Sequence, residues 1–219
     1  RAASEGTVPL IALNEIVKVP SFSTLAALRN RQVANHRVPR SLAIVADPVF
    51  STDDARVPAR ARSGQPGAPK RYRRLPFSRL EAQLAAEEAR EVPVLSLLDF
   101  SANRQSVLSG LLSGYSIIHF ATHAELSPGH PDLGKLVLSF VDERGNTLDG
   151  NLYSGEIFGL NLPAELVVLS ACDSGLGDDI RGEGMVGLPY AFLNAGAQAV
   201  LVSLWQVNDR AGASVMASF

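Results

Sequence analysis

The sequence predicts an α/β fold built on a mostly parallel sheet with helices on both faces. Short apolar runs at Leu42–Ala46, Tyr115–Thr122, Leu166–Leu169 and Gln198–Leu204 end in turn formers, as buried strands do. Segments with helical spacing separate these runs, and strand–helix alternation is the signature of a parallel sheet covered on both sides. The 219 residues, 46% of them hydrophobic, suffice for one domain, 1–219, with a single core and no internal repeat.

Taken in order, Asn14–Val19 reads as a strand near an edge, stopped by Pro20. Ser21 or Ser23 can cap a helix over Thr24–Gln32. Leu42–Ala46 is a strand closed by Asp47 and Pro48. Residues 51–76 carry seven Lys/Arg against two acids, with prolines, glycines and no apolar periodicity, so they predict a flexible basic loop. Within it Arg71, Arg73 and Arg74 are candidates for an anion patch or a protease cut site, though a solvated excursion is the plainer reading. Ser78 and Glu81 have capping-box spacing and open a helix to about Arg90.

Val92–Leu98 predicts a short strand, which Pro93 favours at an edge. Asn103–Leu112 predicts a helix facing Val107, Leu108, Leu111 and Leu112 inward. After the Tyr115–Thr122 strand comes a loop over Gly129–Gly134. A hairpin of Lys135–Val141 with Asn146–Leu148 follows, turning at Arg144 and Gly145. Leu152–Leu160 is a short helix. The strand at Leu166 runs into a glycine-rich loop, Gly175–Gly184, then a helix to Asn194 that Gly196 ends. A further strand, Gln198–Leu204, precedes a helix beginning at Ala211.

Composition excludes several functions. A net charge of −2 gives no electrostatic footprint for nucleic acid. No apolar run approaches 18 residues, so no membrane span is expected. One cysteine rules out an internal disulfide and suits a reducing, cytoplasmic compartment. The missing initial methionine and a C-terminal helix cut at Phe219 read as a fragment of a longer chain.

The chemistry converges on two residues. Cys172 is the only cysteine and lies where the Leu166 strand runs out. His123 lies where the Tyr115–Thr122 strand runs out, 49 residues upstream. On parallel neighbours roughly 4.8 Å apart, the two side chains come within reach, as an activated thiol and its base require. A buried cysteine is more often inert packing, so the paired histidine is what raises the reading. His119, four residues before His123, would suggest a metal on a helix. On a strand the two rings sit about 13 Å apart, so no metal is expected and His119 reads as a packed, hydrogen-bonded histidine. Gly182, Gly184 and Gly187 match GxGxxG, but they do not follow a strand directly and Gln206–Val207 occupy the place of the ribose-binding acid. No nucleotide or other cofactor is therefore expected.

The segments HFATHA at His119–Ala124, LSACDSG at Leu169–Gly175, RGEGMVGLPYAFLNAGA at Arg181–Ala197 and SLWQVND at Ser203–Asp209 resemble the CHAT domain, a caspase-like family related to separase. The likeness is densest from residue 115 onward and extends upstream to Val19–Arg29 and Ala43–Pro48. The spacing also agrees with a caspase histidine about 50 residues before the cysteine. The resemblance implies a three-layer caspase-like sandwich and a cysteine endopeptidase with a His123/Cys172 dyad and no third member. It implies an oxyanion hole from the backbone N–H of Cys172 and of Ala124, where caspase-like enzymes usually have glycine. It places Ser203, Trp205, Gln206 and Asp209 on the substrate wall. Gln206 stands where separase-like relatives carry an acid, which implies weak selection for Arg or Lys unless Asp173 or Asp209 supplies the charge. The implied partners are a protein substrate and a helical-repeat (TPR) region in the full-length chain. Two alternatives remain at this point: a catalytically silent CHAT interaction module, and a flavodoxin- or receiver-like binding domain.

Overall fold

Strand β1, Leu42–Pro48, is buried along its whole length, as expected of a run with no polar face. It sits between two parallel neighbours, β2 (Val94–Asp99) and β3 (Ile117–Ala121). β3 pairs in parallel with β7 (Leu166–Leu169), and β7 with β8 (Val200–Val202). The sheet therefore has the all-parallel order β2-β1-β3-β7-β8. The computed structural model describes residues 38–59, 72–125, 133–170, 187–202 and 209–216. The expected strand at Asn14–Val19 and helix at Thr24–Gln32 lie outside the described residues.

Alternation along the strands builds the layers. Leu42, Ile44, Ala46 and Ala121 face one way, onto Ala82, Ala85 and Ala86 of helix α1 (Pro76–Glu88). Ala43, Val45, Ile118, Phe120, Val167 and Leu169 face the other way, with Ile157, Leu188, Ala191 and Phe192. These come from helices α3 (Ser154–Phe158) and α4 (Gly187–Asn194), and the Phe120 and Phe192 rings pack 5.4 Å apart. A parallel sheet between two helical layers is the three-layer α/β sandwich that the sequence predicts.

α1 starts differently from expectation. Pro76 opens it, with no side-chain cap from Leu75. The Ser78 hydroxyl instead donates to the Leu75 carbonyl and accepts from the Asp47 N–H, while Glu81 reaches His119. The cap comes from elsewhere in the chain: Asp209 of helix α5 (Asp209–Met216) accepts from the Phe77 N–H at 3.0 Å.

The Asn103–Leu112 helix is also shorter than predicted. Helix α2 covers Arg104–Leu108, capped by Asn103 Oδ1 accepting from the Ser106 N–H. Gly110, at φ +83°, breaks it, and a 3-10 turn follows over Leu111–Gly114. That turn buries Leu112 and leaves Leu111 exposed.

A second, antiparallel sheet, β4-β5-β6, forms from β4 (His123–Glu125), β5 (Lys135–Val137) and β6 (Asn151–Tyr153). The sequence predicts the turn at Arg144 and Gly145, which forms around Asp142, but not this pairing. Asn146–Leu148 contributes one bridge, Val141 to Thr147, and β5 takes its ladders from β4 and β6. The expected Leu152–Leu160 helix is accordingly divided, beginning as β6 and becoming helical only at Ser154.

Candidate active site

His123 does not end a strand, as the sequence suggested. Thr122 is the single residue between the sheets; its hydroxyl donates to the Val137 carbonyl, and His123 begins β4 opposite Val137. The imidazole is buried, and its Nε2 lies 2.7 Å from the Arg73 carbonyl oxygen. A carbonyl can only accept, so Nε2 carries the proton and donates it. In the neutral ring the basic lone pair is then on Nδ1, the form a general base needs. Phe50 and Tyr72 pack on the ring with centroids 5.1 and 5.6 Å away. Tyr72 also stacks on Phe140 and donates its hydroxyl to Glu125 Oε1 at 2.6 Å, while Lys135 pairs with Glu125 at 3.0 Å. A cleft of about 430 Å³ opens beside this group, lined by Phe50, Ser51, Asp53, Tyr72 and Arg73 among others.

The sequence reading missed Arg73 as an orienting group, because every residue has a carbonyl. It also missed Tyr72, the one aromatic in 51–76 and the only signal available there. The described parts of that stretch, 51–59 and 72–75, hold turns and irregular chain whose arginines bond to the carboxyl ends of β1 and β2.

Those strand ends carry a cluster of charge. Asp47 and Asp99 both adopt left-handed φ, +47° and +53°, a conformation short polar side chains tolerate. Asp47 is fully buried. Arg74 grips it two-pronged, Nε to Oδ1 at 2.9 Å and Nη2 to Oδ2 at 2.7 Å. Arg79 Nε donates to Oδ2 at 2.7 Å, and Arg56 lies 3.2 Å from the same oxygen. Arg56 also donates to the Asp47 and Pro48 carbonyls and pairs with Asp54 and Asp99. Arg74 is thus turned inward onto a carboxylate. Burial pushes the Asp54 and Asp99 carboxyls up, but the guanidiniums of Arg56 and, for Asp99, Arg79 outweigh it. Both end below the usual carboxylate range.

Asp209 lies close to this centre. Burial, with the Glu81 and Asp47 charges adding to it, lifts its carboxyl above the usual range; the Phe77 N–H and His123 act in the opposite sense. His119 is packed and hydrogen-bonded as expected, its Nε2 2.6 Å from Glu81 Oε1. It belongs to β3 and His123 to β4, so the two rings serve different sheets. Among the described residues no three His, Cys, Asp or Glu side chains converge as metal ligands.

Cys172, Asp173, Ser203, Trp205 and Gln206 lie outside the described residues. Ala124 is the middle residue of β4, opposite Leu136, with its side chain in the core. β3 and β7 are adjacent and parallel, with Phe120 opposite Leu169 and the Ser170 N–H donating to the Phe120 carbonyl at 2.9 Å.

A family profile described as the CHAT domain matches residues 1–219. The chain belongs to the CHAT domain family. That family is caspase-like, which accords with the parallel sheet, its helical layers and the histidine beyond β3, and it displaces the receiver-like reading. This CHAT domain is 28% identical over 165 residues to tetratricopeptide repeat protein 28 of Homo sapiens, covering 61% of the chain and 6% of that protein. It is 30% identical over 140 residues to the Mus musculus protein of the same name, covering 51% of the chain and again 6% of the relative. The chain thus aligns with a small part of much longer proteins.

Proposed function

We propose that this CHAT domain is a cysteine endopeptidase in which His123 activates Cys172. The observation that carries the reading is the register of β3 on β7. Phe120 is opposite Leu169, and His123 and Cys172 each follow three residues later in the sequence. The burial of His123, its anchored Nε2–H and the adjoining cleft support the role of base.

In the proposed reaction Nδ1 of His123 takes the thiol proton and the Cys172 thiolate attacks a peptide carbonyl carbon. The oxyanion that forms is held by the backbone N–H groups of Cys172 and Ala124. His123 returns the proton to the departing amine, and water then hydrolyses the acyl-enzyme. Ser203, Trp205, Gln206 and Asp209 line the substrate side, and Gln206 in place of an acid makes selection for Arg or Lys weak unless Asp173 or Asp209 supplies the charge. A TPR region in the full-length chain, as the relatives' names suggest, would deliver the protein substrate and regulate cleavage.

Digestion of a peptide library by the parent and by Cys172→Ala tests the proposal. Products made by the parent and absent from the variant are expected. Identical product sets would refute cleavage and leave a silent interaction module.

A further inference from the structure

We propose that Arg74 and Asp47 form a positioning pair that holds the Arg73 carbonyl on His123, an inference that rests on His123 acting as the base. The carbonyl that fixes the ring belongs to residues 72–75, which are neither helix nor strand and are joined to α1 only at Leu75, whose carbonyl accepts from Ser78. Its two sequence neighbours are both tied down. On one side Tyr72 stacks on Phe140 and donates to Glu125. On the other, Arg74 grips both oxygens of Asp47.

Asp47 is a rigid anchor. It ends the central strand β1, its N–H donates to Ser78, and its carboxylate is wholly buried. A two-pronged guanidinium–carboxylate pair fixes direction as well as distance. The sheet therefore controls the imidazole through a short chain of contacts: β1, Asp47, Arg74, the Arg73 carbonyl, Nε2. Arg56 and Arg79 bind the same carboxylate from other parts of the chain, so Asp47 keeps two cations when Arg74 is removed. Arg79 lies on α1, and its side-chain bonds go to Asp47 and Asp99, not to the Arg73 carbonyl or to Arg74. It is the natural control for loss of an Asp47 contact without loss of the tether.

The test compares parent, Arg74→Ala, Arg74→Lys and Arg79→Ala in the full chain. The first readout is solvent exchange of the His123 Nε2 proton by 15N-resolved NMR, assigned with His123→Gln. The second is the pH profile of Cys172 alkylation by iodoacetamide. In Arg74→Ala the Nε2 proton is expected to exchange at least about tenfold faster than in the parent. Alkylation near pH 7 is expected to slow about tenfold. Arg74→Lys, which keeps the charge but not the fork, should fall between, and Arg79→Ala should match the parent in both readouts despite its lost ion pair. Parent-like exchange in Arg74→Ala, or equal effects in Arg74→Ala and Arg79→Ala, would overturn the positioning role. If exchange changes as expected but alkylation is the same in parent, Arg74→Ala and His123→Gln, the pair does hold the ring and the peptidase reading is what fails.

Discussion

Replacing Asp47 with asparagine removes one charge from the point where three arginines meet. The side chain of Asp47 is 0% exposed, against 16% for Arg56, 29% for Arg79 and 41% for Arg74. Breaking a buried ion pair by removing one partner costs about 3–5 kcal/mol. The lower end applies here, about 3 kcal/mol, because Arg56 keeps Asp54 and Asp99, Arg79 keeps Asp99, and Arg74 can rehydrate. Asparagine also tolerates the left-handed φ of +47°, so the loss is electrostatic. Asp47→Ala should lose about 1 kcal/mol more, from backbone strain alone. In a chain of this size a loss of about 3 kcal/mol lowers Tm by about 6–12 °C. Urea denaturation and a thermal melt of parent and both variants measure it. A change below about 0.5 kcal/mol in Asp47→Asn, the range of an ordinary surface substitution, would refute the view of Asp47 as a keystone.

Other outcomes follow from the same contacts. The folded carboxyls of Asp54 and Asp99 lie below their unfolded values, so their contribution to stability is present above about pH 4 and lost as pH falls through the folded values. Arg56→Gln should be less stable at pH 7 and show a shallower acid limb in pH-dependent unfolding; an unchanged limb would contradict the assignment. At Gly150 an added Cβ would lie 2.5 Å from the Leu138 carbonyl oxygen, so Gly150→Ala should cost about 1–3 kcal/mol, read as a lower urea midpoint. Removing the hydrogen-bond partner of buried His119 by Glu81→Ala should cost about 1–3 kcal/mol while leaving the His123 Nε2 proton as protected as in the parent.

The parallel sheet was legible because its strands are short apolar runs closed by turn formers, and β1 with Asp47 and Pro48 at its end shows this most plainly. Among the described residues β2 lies at the edge of the sheet, the position that Pro93, which cannot donate to a ladder, favours. Errors arose where a local signal competed with a distant partner. Ser78 and Glu81 have the spacing of a capping box, yet Asp47 and His119 claim their side chains. The helical pattern at Asn103–Leu112 continues through Gly110, whose positive φ ends the helix. His123 looked like a run-out because β4 has only three residues and its ladder partners lie on β5. At the site, the histidine was visible as a residue type, whereas its anchor is a peptide carbonyl. The Asp47 cluster joins residues 9, 27 and 32 positions apart, with no periodicity to link them.

The most direct test of a His123-activated thiol is the iodoacetamide alkylation rate of Cys172 between pH 5 and 8, in the parent and in His123→Ala. An imidazole that stabilises the thiolate keeps the parent reactive well below pH 8.5, the ordinary thiol range, and the variant should be at least about tenfold slower near pH 6. Superimposable profiles, both rising only toward pH 8.5, would contradict the account.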